Sequence, residues 1–280
     1  MIRLLAIDID GTLLDSRARL PDTHRDALVD AAAKGVAIAL VTGRSFHFTK
    51  PIADLLPIPL TLITNNGALV KAKDGTTLVR RTLTRDVARQ VLQATQAFED
   101  SVALVFDRPD ERQIVFERMD WSHPHRRGYY EKNKAFIART DSPLVDVLVD
   151  DPIQVMFNGS VEPMRALFSD LGSLSCAPHM SVAITEYEPR DFSLIDVNGP
   201  GCSKGTTLAV WTASCGWTRD EVAAFGDNLN DVEMLDFAGT AFVMGNAADV
   251  VKTRGYRVTG THDEGGLATA VRSCLQLQSR

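Results

Sequence analysis

The sequence predicts an α/β fold: a Rossmann-like core built on a parallel sheet, interrupted by an inserted α+β domain. Between Ile2 and Asn65, apolar runs alternate with helical patterns, which is the order that β-α-β crossovers produce. From about residue 84 to 189 this alternation gives way to several short strands, and from Phe192 it resumes. We therefore expect a discontinuous core of residues 1–83 and 190–280 and an inserted domain of residues 84–189.

The first half of the core reads as alternating strands and helices. Short apolar runs suit strands that are covered on both faces, and three such runs lie in this half: residues 2–7, 36–41 and 60–64. Between the first two runs, Pro21 marks the start of a helix and Gly35 its end. After the third run, Asp74-Gly75 between two short apolar segments predicts a hairpin. The alternation is therefore expected to stop there.

The remaining elements are predicted from shorter patterns. In the inserted domain, Thr84 precedes one helix, a second helix spans 162–168, and candidate strands lie at 101–106, 112–117, 153–158 and 181–186. The core is then expected to continue with strands at 192–197, 222–225 and 240–243. Its helices are predicted to begin at Ser203 and after Asn230.

The composition narrows the class of protein. With 280 residues and 45% hydrophobic content, the chain can bury a substantial core. A formal net charge of -6, with Lys and Arg scattered, argues against nucleic acid or an anionic membrane as the main partner. A small molecule is the better partner. The four cysteines form no close pair, so neither a zinc site nor a disulfide framework is expected. We expect all four to be reduced thiols.

The N-terminal apolar stretch is short, ends in two aspartates and has no small-residue cleavage site, which argues against a signal peptide or a membrane span. We therefore expect a cytoplasmic protein, monomeric or homodimeric. We expect it to bind a small phosphorylated molecule rather than nucleic acid or a membrane.

Two carboxylates converge where the first predicted strand ends. Asp8 and Asp10 lie two residues apart in Asp8-Ile9-Asp10-Gly11, and an extended segment directs residues i and i+2 to the same side. Two like charges in one site raise a pKa or attract a cation, and hard oxygen ligands suit Mg²⁺. The pair therefore indicates a magnesium site that serves phosphate chemistry.

Three further segments place polar side chains beside predicted core elements: Thr42-Gly43-Arg44 after the second strand, Lys204 at the helix after the 192–197 strand, and Gly226 to Asp231 after the 222–225 strand. Ligands bind at the carboxyl ends of such strands. Each segment alone has a simpler explanation, since Asp beside Gly often only caps a helix, and Arg44 or Lys204 could be solvated. Their shared position favours a single active site.

The combined residue types match phosphoryl transfer. A metal and a lysine neutralise the phosphoryl oxygens, a hydroxyl and backbone amides hold them, and a carboxylate attacks phosphorus. Asp8, nearer the strand, is the expected nucleophile and would form an aspartyl-phosphate. Asp10, at the turn, would protonate the leaving oxygen and then take a proton from the water that cleaves the intermediate.

These motifs resemble those of the haloacid dehalogenase superfamily of aspartate-nucleophile phosphatases. The four motifs are matched by Asp8 to Leu13, Thr42 to Arg44, Lys204, and Gly226 to Asp231. Further segments are similar to its Cof-type subfamily, whose members carry a large α/β cap: Asn65-Asn66-Gly67-Ala68, Ser203-Lys204-Gly205, Asn230-Asp231 and Met244-Gly245-Asn246-Ala247. The resemblance implies a Rossmann-like catalytic core with an inserted α+β cap domain, which would close over the site and exclude water.

The resemblance also implies a role for each matching residue. Mg²⁺ would be bound by the carboxylates of Asp8 and Asp227 and the backbone carbonyl of Asp10, and Asp231 would support the metal. The phosphoryl oxygens would be held by Thr42, the Gly43 amide, Lys204 and Asn230. Arg44 and Asn66 are expected in supporting positions.

Two segments are harder to interpret. Relatives commonly carry a Thr-Asn segment before an acidic glycine turn, whereas this chain has Thr261-His262 before Asp263 to Gly266, and we interpret His262 as a surface loop residue. In the predicted cap, the segment from Arg126 to Tyr130 could reach a sugar or a second phosphate. A solvated basic helix face is the favoured interpretation of that segment.

The predicted function is that of a Mg²⁺-dependent phosphatase, a hydrolase of phosphoric monoesters, acting on a small metabolite such as a sugar phosphate or a phosphorylated vitamin precursor. One alternative is a phosphotransferase or phosphomutase, in which a sugar hydroxyl accepts the phosphoryl group. Another is a non-catalytic sensor of a phosphate ligand. Asp8, Asp10, Lys204 and Asp227 argue against the sensor, because a binding module need not retain a nucleophile and an acid.

Overall fold

A computed structural model describes residues 1–108 and 112–276. The chain folds into two compact units, the first formed by Met1–Arg80 with Ser203–Arg280 and the second by Arg81–Cys202. The strands are β1 Leu4–Ile7, β2 Ala37–Val41, β3 Thr61–Thr64, β4 Leu69–Ala72, β5 Thr77–Arg80, β6 Val102–Val105, β7 Ile114–Phe116, β8 Ile137–Arg139, β9 Gln154–Gly159, β10 Ser181–Tyr187, β11 Phe192–Asn198, β12 Val222–Gly226, β13 Thr240–Val243 and β14 Arg257–Val258. The helices are α1 Asp22–Ala33, α2 Phe46–Asp54, α3 Arg85–Ala94, α4 Pro124–Asn133, α5 Leu144–Val147, α6 Val161–Gly172, α7 Lys204–Ser214, α8 Val232–Phe237, α9 Asp249–Lys252 and α10 Gly266–Gln276.

The first unit is built on a sheet of order β14-β13-β12-β1-β2-β3-β4-β5. The strands from β14 to β3 are parallel, and β4 and β5 add the predicted antiparallel hairpin, with Gly75 at a φ of 98° in its turn. From β1 the chain proceeds outward through β2 and β3, and it later returns to the other side of β1 with β12. The strand order therefore reverses between β1 and β12, which is where open α/β sheets bind ligands.

Both faces of this sheet are covered, as expected for apolar parallel strands. Along β1, Leu5 and Ile7 pack into a core that contains residues of α1 and α10, whereas Leu4 and Ala6 pack into a second core that contains residues of α7 and α8. This alternation follows from the two-residue period of a strand. The sheet is thus held rigidly from both sides, and its carboxyl edge can position side chains accurately.

The second unit is an α+β structure with a sheet of order β10-β11-β9-β6-β7-β8, antiparallel except for the β7–β8 pair. One face packs against α3 and α6 in a core that includes Val155 and Phe157 of β9. Gln154, Met156 and Asn158 point to the opposite face because side chains alternate along a strand. The predicted α/β fold with an inserted α+β segment is confirmed.

One strand belongs to a different sheet from the one predicted. The 192–197 run was expected in the parallel core, but β11 pairs antiparallel with β9 and β10, with Ile195 opposite Phe157 and Ile184. An apolar run does not show which strand it will pair with. Here the pairing is set by a tight turn, because Asp191 adopts a φ of 43° and the chain returns beside β10. The units consequently change at residues 80/81 and 202/203, rather than at the predicted 83/84 and 189/190.

Within the described residues, no helix is long and apolar enough to cross a membrane. The four cysteines are free thiols, and Cys176, Cys202 and Cys274 are buried.

Candidate active site

Three adjacent strands of the first unit end in polar residues at one edge of the sheet. Asp8 follows β1, Thr42 follows β2 and Asp227 follows β12. The parallel registers place Ile7 beside Phe225 of β12 and beside Leu40 of β2, so the three strands end at nearly the same level. The sequence therefore positions these side chains side by side, as predicted from the carboxyl-edge rule.

A buried group of charges lies at this edge, and we call Asp8, Asp227, Asp231 and Lys204 the acidic cluster. One carboxylate oxygen from each of the three aspartates lies within 4.8 Å of the others. The Lys204 ammonium donates to Asp8 Oδ1 at 2.6 Å and to Asp231 Oδ1 at 2.7 Å. Three carboxylates against one ammonium leave a formal charge of -2 when all are ionised, so the cluster attracts a further cation.

The pKa values of the cluster reflect this excess of negative charge. Burial raises the pKa of Asp8 from 3.8 to about 7, with Asp231 adding to the increase and Lys204 opposing it. Burial, together with Asp8 and Asp231, also holds the pKa of Asp227 well above its ordinary value. Burial by itself would lower the pKa of Lys204, but the Asp231 and Asp8 carboxylates outweigh it and raise that pKa. Lys204 thus stays charged, while the pKa values of Asp8 and Asp227 are both raised, so a proton and a cation compete for these two carboxylates.

Lys204 reaches the cluster from the first turn of α7. Ser203 caps this helix, accepting a hydrogen bond from the Thr206 amide at 3.0 Å, and Lys204 is the first helical residue. A cation there opposes the helix dipole, so the two buried carboxylates are what stabilise it. The preceding strand, β11, belongs to the second unit, so the expectation that Lys204 follows a strand of the parallel core was wrong, although its predicted place at a helix start is confirmed.

The three aspartates differ in how many oxygens remain available. Asp231 uses both: Oδ1 accepts from Lys204, and Oδ2 accepts from the amides of Asp227 and Asn228, each at 3.0 Å. Asp8 Oδ2 accepts no hydrogen bond from the described part of the chain. Asp227 receives only long contacts, from Thr12 Oγ1 at 3.5 Å and Asn246 Nδ2 at 3.4 Å. Asp8 and Asp227 can therefore each offer an oxygen to a metal, and Asp231 orients them.

This donor set fits Mg²⁺. Magnesium prefers a few carboxylate oxygens and keeps several waters, and two open, buried carboxylates with raised pKa values provide that environment. A divalent cation would also balance the formal charge of the acidic cluster. The carboxylates of Asp8, Asp227 and Asp231 lie close enough together to surround one metal ion. The Asp10 carboxylate does not belong to this group.

The Asp10 carboxylate instead forms a two-pronged ion pair with Arg44. Arg44 Nε lies 2.7 Å from Asp10 Oδ2, and Arg44 Nη2 lies 2.6 Å from Oδ1. Both side chains are about a third exposed, so the pair sits at the mouth of the site. The view of Arg44 as a solvated side chain is therefore incorrect. Its geometry matches the planar fork that binds a carboxylate with two parallel hydrogen bonds.

The residues expected to hold phosphate also come together. The amide of Asn66 donates to the Thr42 carbonyl at 3.1 Å, and Asn230 Nδ2 donates to Asn66 Oδ1 at 3.1 Å. A side chain added at Gly43 would lie 3.2 Å from Asn66 Nδ2, so Gly43 is adjacent to the same amide. Asn66 thus links the turn after β2 with the turn that carries Asn230.

Gly11 and Asn246 hold the Asp227 carboxylate in place. Gly11 has a φ of 83°, and a Cβ there would lie 2.1 Å from Asp227 Oδ2, so only glycine fits. Asn246 Nδ2 donates to the Gly11 carbonyl at 2.9 Å and contacts Asp227 Oδ2 at 3.4 Å. No role was predicted for Asn246 from its sequence motif. Asn246 follows the end of β13, beside β12, so the same carboxyl-edge rule could have placed it at the site.

Two other sequence interpretations change. The amide of His262 donates to Asn246 Oδ1 at 3.0 Å and the His262 side chain is only 15% exposed, so it is more enclosed than a surface loop residue.

Arg126 is buried rather than solvated: its guanidinium donates to Asn158 Oδ1 at 2.6 Å, to Ser101 Oγ at 3.0 Å and to the Asp120 carbonyl at 2.9 Å. Asn158 and Ser101 lie far from Arg126 in sequence, which is why a basic helix face was the simpler interpretation.

Comparisons with known proteins identify the family of the chain. The sequence model of haloacid dehalogenase-like hydrolases matches residues 5–271. The chain is 29% identical to the 5-amino-6-(5-phospho-D-ribitylamino)uracil phosphatase YcsE of Bacillus subtilis, over 97% of this chain and 95% of that protein. It is also 29% identical to the pyridoxal phosphate phosphatase YbhA of Escherichia coli, over 98% of each. Among solved structures, BT1666 from Bacteroides thetaiotaomicron, described among phosphatases of the superfamily, superposes with a TM-score of 0.79 at 25% identity, covering 98% of this chain and 95% of that one.

Proposed function

Because the chain belongs to the haloacid dehalogenase-like hydrolases, we propose that it is a Mg²⁺-dependent phosphatase that hydrolyses phosphomonoesters of small metabolites through an aspartyl-phosphate on Asp8. The observation that carries this proposal is the acidic cluster, in which the Asp8 carboxylate is buried, has one oxygen bonded to Lys204 and keeps the other available. A nucleophile needs such an unblocked oxygen, and a structural carboxylate does not.

The residue roles follow from the donors that each side chain can offer. Mg²⁺ would be held by the carboxylates of Asp8 and Asp227 and by the backbone carbonyl of Asp10. Because Asp8 Oδ2 is the oxygen that attacks phosphorus, the metal would share Oδ1 with Lys204, while Asp231 orients Lys204 and the Asp227 turn. The phosphoryl oxygens are held by Thr42, the Gly43 amide, Lys204 and Asn230, with Asn66 fixing Asn230. When bound, Mg²⁺ neutralises charge on the phosphoryl group.

The reaction then needs two proton transfers at Asp10. Asp8 Oδ2 attacks phosphorus, the bond to the leaving oxygen breaks, and Asp10 gives that oxygen a proton. Asp10 next takes a proton from water, whose oxygen attacks phosphorus and frees Asp8 and inorganic phosphate. The two-pronged Arg44 pair occupies both oxygens of the Asp10 carboxylate. Before Asp10 can donate a proton in the first step, one of its two hydrogen bonds from Arg44 must break, because a protonated carboxyl group cannot accept hydrogen bonds from Arg44 at both of its oxygens.

The substrate class is supported by the relatives. Those cited above are named for a phosphorylated uracil derivative and for pyridoxal phosphate, and a further relative is named HMP-PP phosphatase. We propose that this chain acts on a compound of the same general kind, a small soluble phosphomonoester. The buried free cysteines and the acidic net charge support a reducing, cytoplasmic location.

The proposal is tested by hydrolysis of p-nitrophenyl phosphate and of a panel of phosphorylated metabolites, with Mg²⁺ or with EDTA. We expect EDTA to abolish turnover and Asp8→Asn to lower kcat by at least about 10⁴-fold, since the nucleophile is lost. Asp54→Asn, an exposed aspartate on α2, is the matched control and should keep activity within about twofold. Turnover that survives EDTA or the Asp8→Asn change would contradict the proposal.

Labelled phosphate separates hydrolysis from transfer. With the label on the substrate phosphoryl group and a sugar acceptor present, we expect the label in inorganic phosphate. Recovery of the label on a sugar hydroxyl would instead indicate a phosphotransferase or phosphomutase.

A further inference from the structure

The second unit contains a cleft of about 500 Å³ between α4 and the end of the β7–β8 pair. We call it the aromatic–arginine cleft after the residues that define it: Phe116, Trp121, Tyr130, Arg127 and Arg139. The cleft is open at one side, and its size suits a small metabolite.

The cleft lies on the face of the sheet opposite α3 and α6. Phe116 of β7 and Arg139 of β8 are register partners, so their side chains share a face. Val115, which precedes Phe116 on β7, points to the other face and packs into the core with α3 and α6. On the outer face, Arg126 fastens α4 to Asn158 of β9, which holds this wall of the cleft in place.

Three aromatic rings form one wall. The ring centroids of Trp121 and Tyr130 are 5.1 Å apart, those of Phe116 and Trp121 are 5.6 Å apart and those of Phe116 and Tyr130 are 6.4 Å apart, with interplanar angles of 62° to 90°. In an edge-to-face contact the edge of one ring packs against the face of another. Some ring faces are therefore left uncovered by the other two rings. Such a wall offers a flat ligand a surface for stacking.

The charges of the cleft favour an anion. Arg118 is engaged by Glu99 and Glu117, and Glu117 also accepts from the Leu144 amide at 3.1 Å. Glu131 lies 3.9 Å from Lys134.

Two guanidiniums remain available. Among the residues that the structure describes, the ion-pair partner of Arg139 is the exposed Asp141, at 3.8 Å. The Arg127 guanidinium has no hydrogen-bond or ion-pair partner among the residues that the structure describes. A guanidinium without a partner beside an aromatic wall can bind a phosphate, phosphonate or carboxylate with two hydrogen bonds.

We propose that the aromatic–arginine cleft is a binding site for a planar aromatic anion, with the ring against Trp121 and Tyr130 and the anionic group on Arg127 and Arg139. This goes beyond the proposed phosphatase activity, because the site is formed by the second unit alone and binds its ligand without Mg²⁺ and without turnover. Benzene rings with phosphonate or carboxylate groups share the required chemistry, and the test below separates them.

The test uses the full chain labelled with 5-fluorotryptophan, in EDTA, observed by ¹⁹F NMR during titration with phenylphosphonate. The three tryptophans, Trp121, Trp211 and Trp217, give three resonances, and Trp121→Phe assigns the one from the cleft. We expect the Trp121 resonance alone to shift saturably, and Arg127→Ala to weaken binding about tenfold, the size expected for loss of a charge-assisted hydrogen bond.

Three controls sharpen the result. Arg89→Ala, on α3 and paired with Asp86, should leave the affinity unchanged. Cyclohexylphosphonate, with the same charge and no aromatic ring, should bind more weakly than phenylphosphonate. Benzoate that binds as well as phenylphosphonate extends the class to carboxylates, and weaker benzoate binding restricts it to dianions such as phosphonates and phosphates.

The proposal is overturned by an unmoved Trp121 resonance, by equal binding of the cyclohexyl compound, or by an Arg127→Ala variant with wild-type affinity. Because the readout needs no catalysis, loss of phosphatase activity would leave this result intact, and absence of binding would leave the proposed activity intact.

Discussion

Lys204 is buried in the first unit and Arg126 in the second, and these two cations have opposite surroundings. Arg126, in the second unit, donates to a side-chain amide, a hydroxyl and two backbone carbonyls, and has one partly exposed carboxylate partner, Asp120. Lys204, in the first unit, has two buried carboxylates as partners and a third, Asp227, close by. The arginine is balanced by neutral acceptors, while the lysine is outnumbered by anions.

This difference separates a structural site from a functional one. A buried charge that only supports a fold is best surrounded by satisfied hydrogen bonds, as Arg126 is. Burial, together with the excess negative charge of the acidic cluster, raises the pKa values of Asp8 and Asp227 and costs stability, which is what a site prepared for a cation shows before the cation binds. The comparison can be tested by removing each cation and by changing the charge around the lysine.

The largest effect is expected from Lys204→Met. Methionine keeps the length of the side chain but leaves Asp8 and Asp231 buried without a counter-charge, so we expect the free energy of unfolding at pH 8 in EDTA to fall by about 3–5 kcal/mol. Urea unfolding measures it. Lys50→Met, at a partly exposed lysine paired with Asp54 on α2, should cost less than about 1 kcal/mol. Equal losses in the two variants would show that the acidic cluster does not depend on Lys204.

The next effect is expected from Arg126→Ala. The change leaves Asn158 and Ser101 without their donor and opens a cavity, so we expect a loss of about 2–3 kcal/mol in the same unfolding experiment. Its neighbour Arg127 is exposed, and Arg127→Ala should cost less than about 0.5 kcal/mol. The Arg126→Ala loss should also be the same at pH 6 and pH 8, because its neutral partners do not titrate. A strong pH dependence would show that Arg126, like Lys204, depends on titrating carboxylates.

A smaller effect is expected from Asn246→Ala. Asn246 links the Gly11 carbonyl to Asp227 Oδ2, so its loss should free the metal carboxylate to rotate and weaken Mg²⁺ binding by about 10–100-fold. Calorimetric titration with Mg²⁺ measures this affinity without substrate. Asn133→Ala, whose side chain donates to a carbonyl in α4, is the control of the same type and should not alter Mg²⁺ binding. Wild-type Mg²⁺ affinity in Asn246→Ala would show that Asn246 does not position the Asp227 carboxylate.

The smallest effect is a dependence of stability on pH. Folding raises the pKa of Asp8 from 3.8 to about 7, so between these values the folded state holds a proton that the unfolded state releases. Stability from this group is therefore full below about pH 4 and is lost as the pH rises through about 7.

In EDTA we expect the free energy of unfolding to fall by about 1–2 kcal/mol more in the wild type than in Asp8→Asn between pH 5.5 and 7.5. Equal slopes in the two proteins would mean that Asp8 is not protonated in the folded state.

The sequence predicted most of the site but not all of the fold. Asp8, Thr42 and Asp227 could be placed together because each follows a parallel strand, and the carboxyl ends of such strands share an edge. β11 was assigned to the wrong sheet because its apolar run is compatible with either sheet, and only the turn at Asp191 decides between them. The burial of Arg126 was missed for a related reason, since Asn158 of β9 and Ser101 before β6 become its neighbours only after folding.

The most direct test of the account is a calorimetric titration of the wild-type protein with Mg²⁺ at pH 8, compared with Asp227→Asn and Arg126→Ala. If the excess charge of the acidic cluster is what binds the cation, the wild type should bind one Mg²⁺ per chain. Asp227→Asn should lose about 100-fold or more in affinity, and Arg126→Ala should bind like the wild type. Wild-type Mg²⁺ affinity in Asp227→Asn, or no binding by the wild type, would contradict the account.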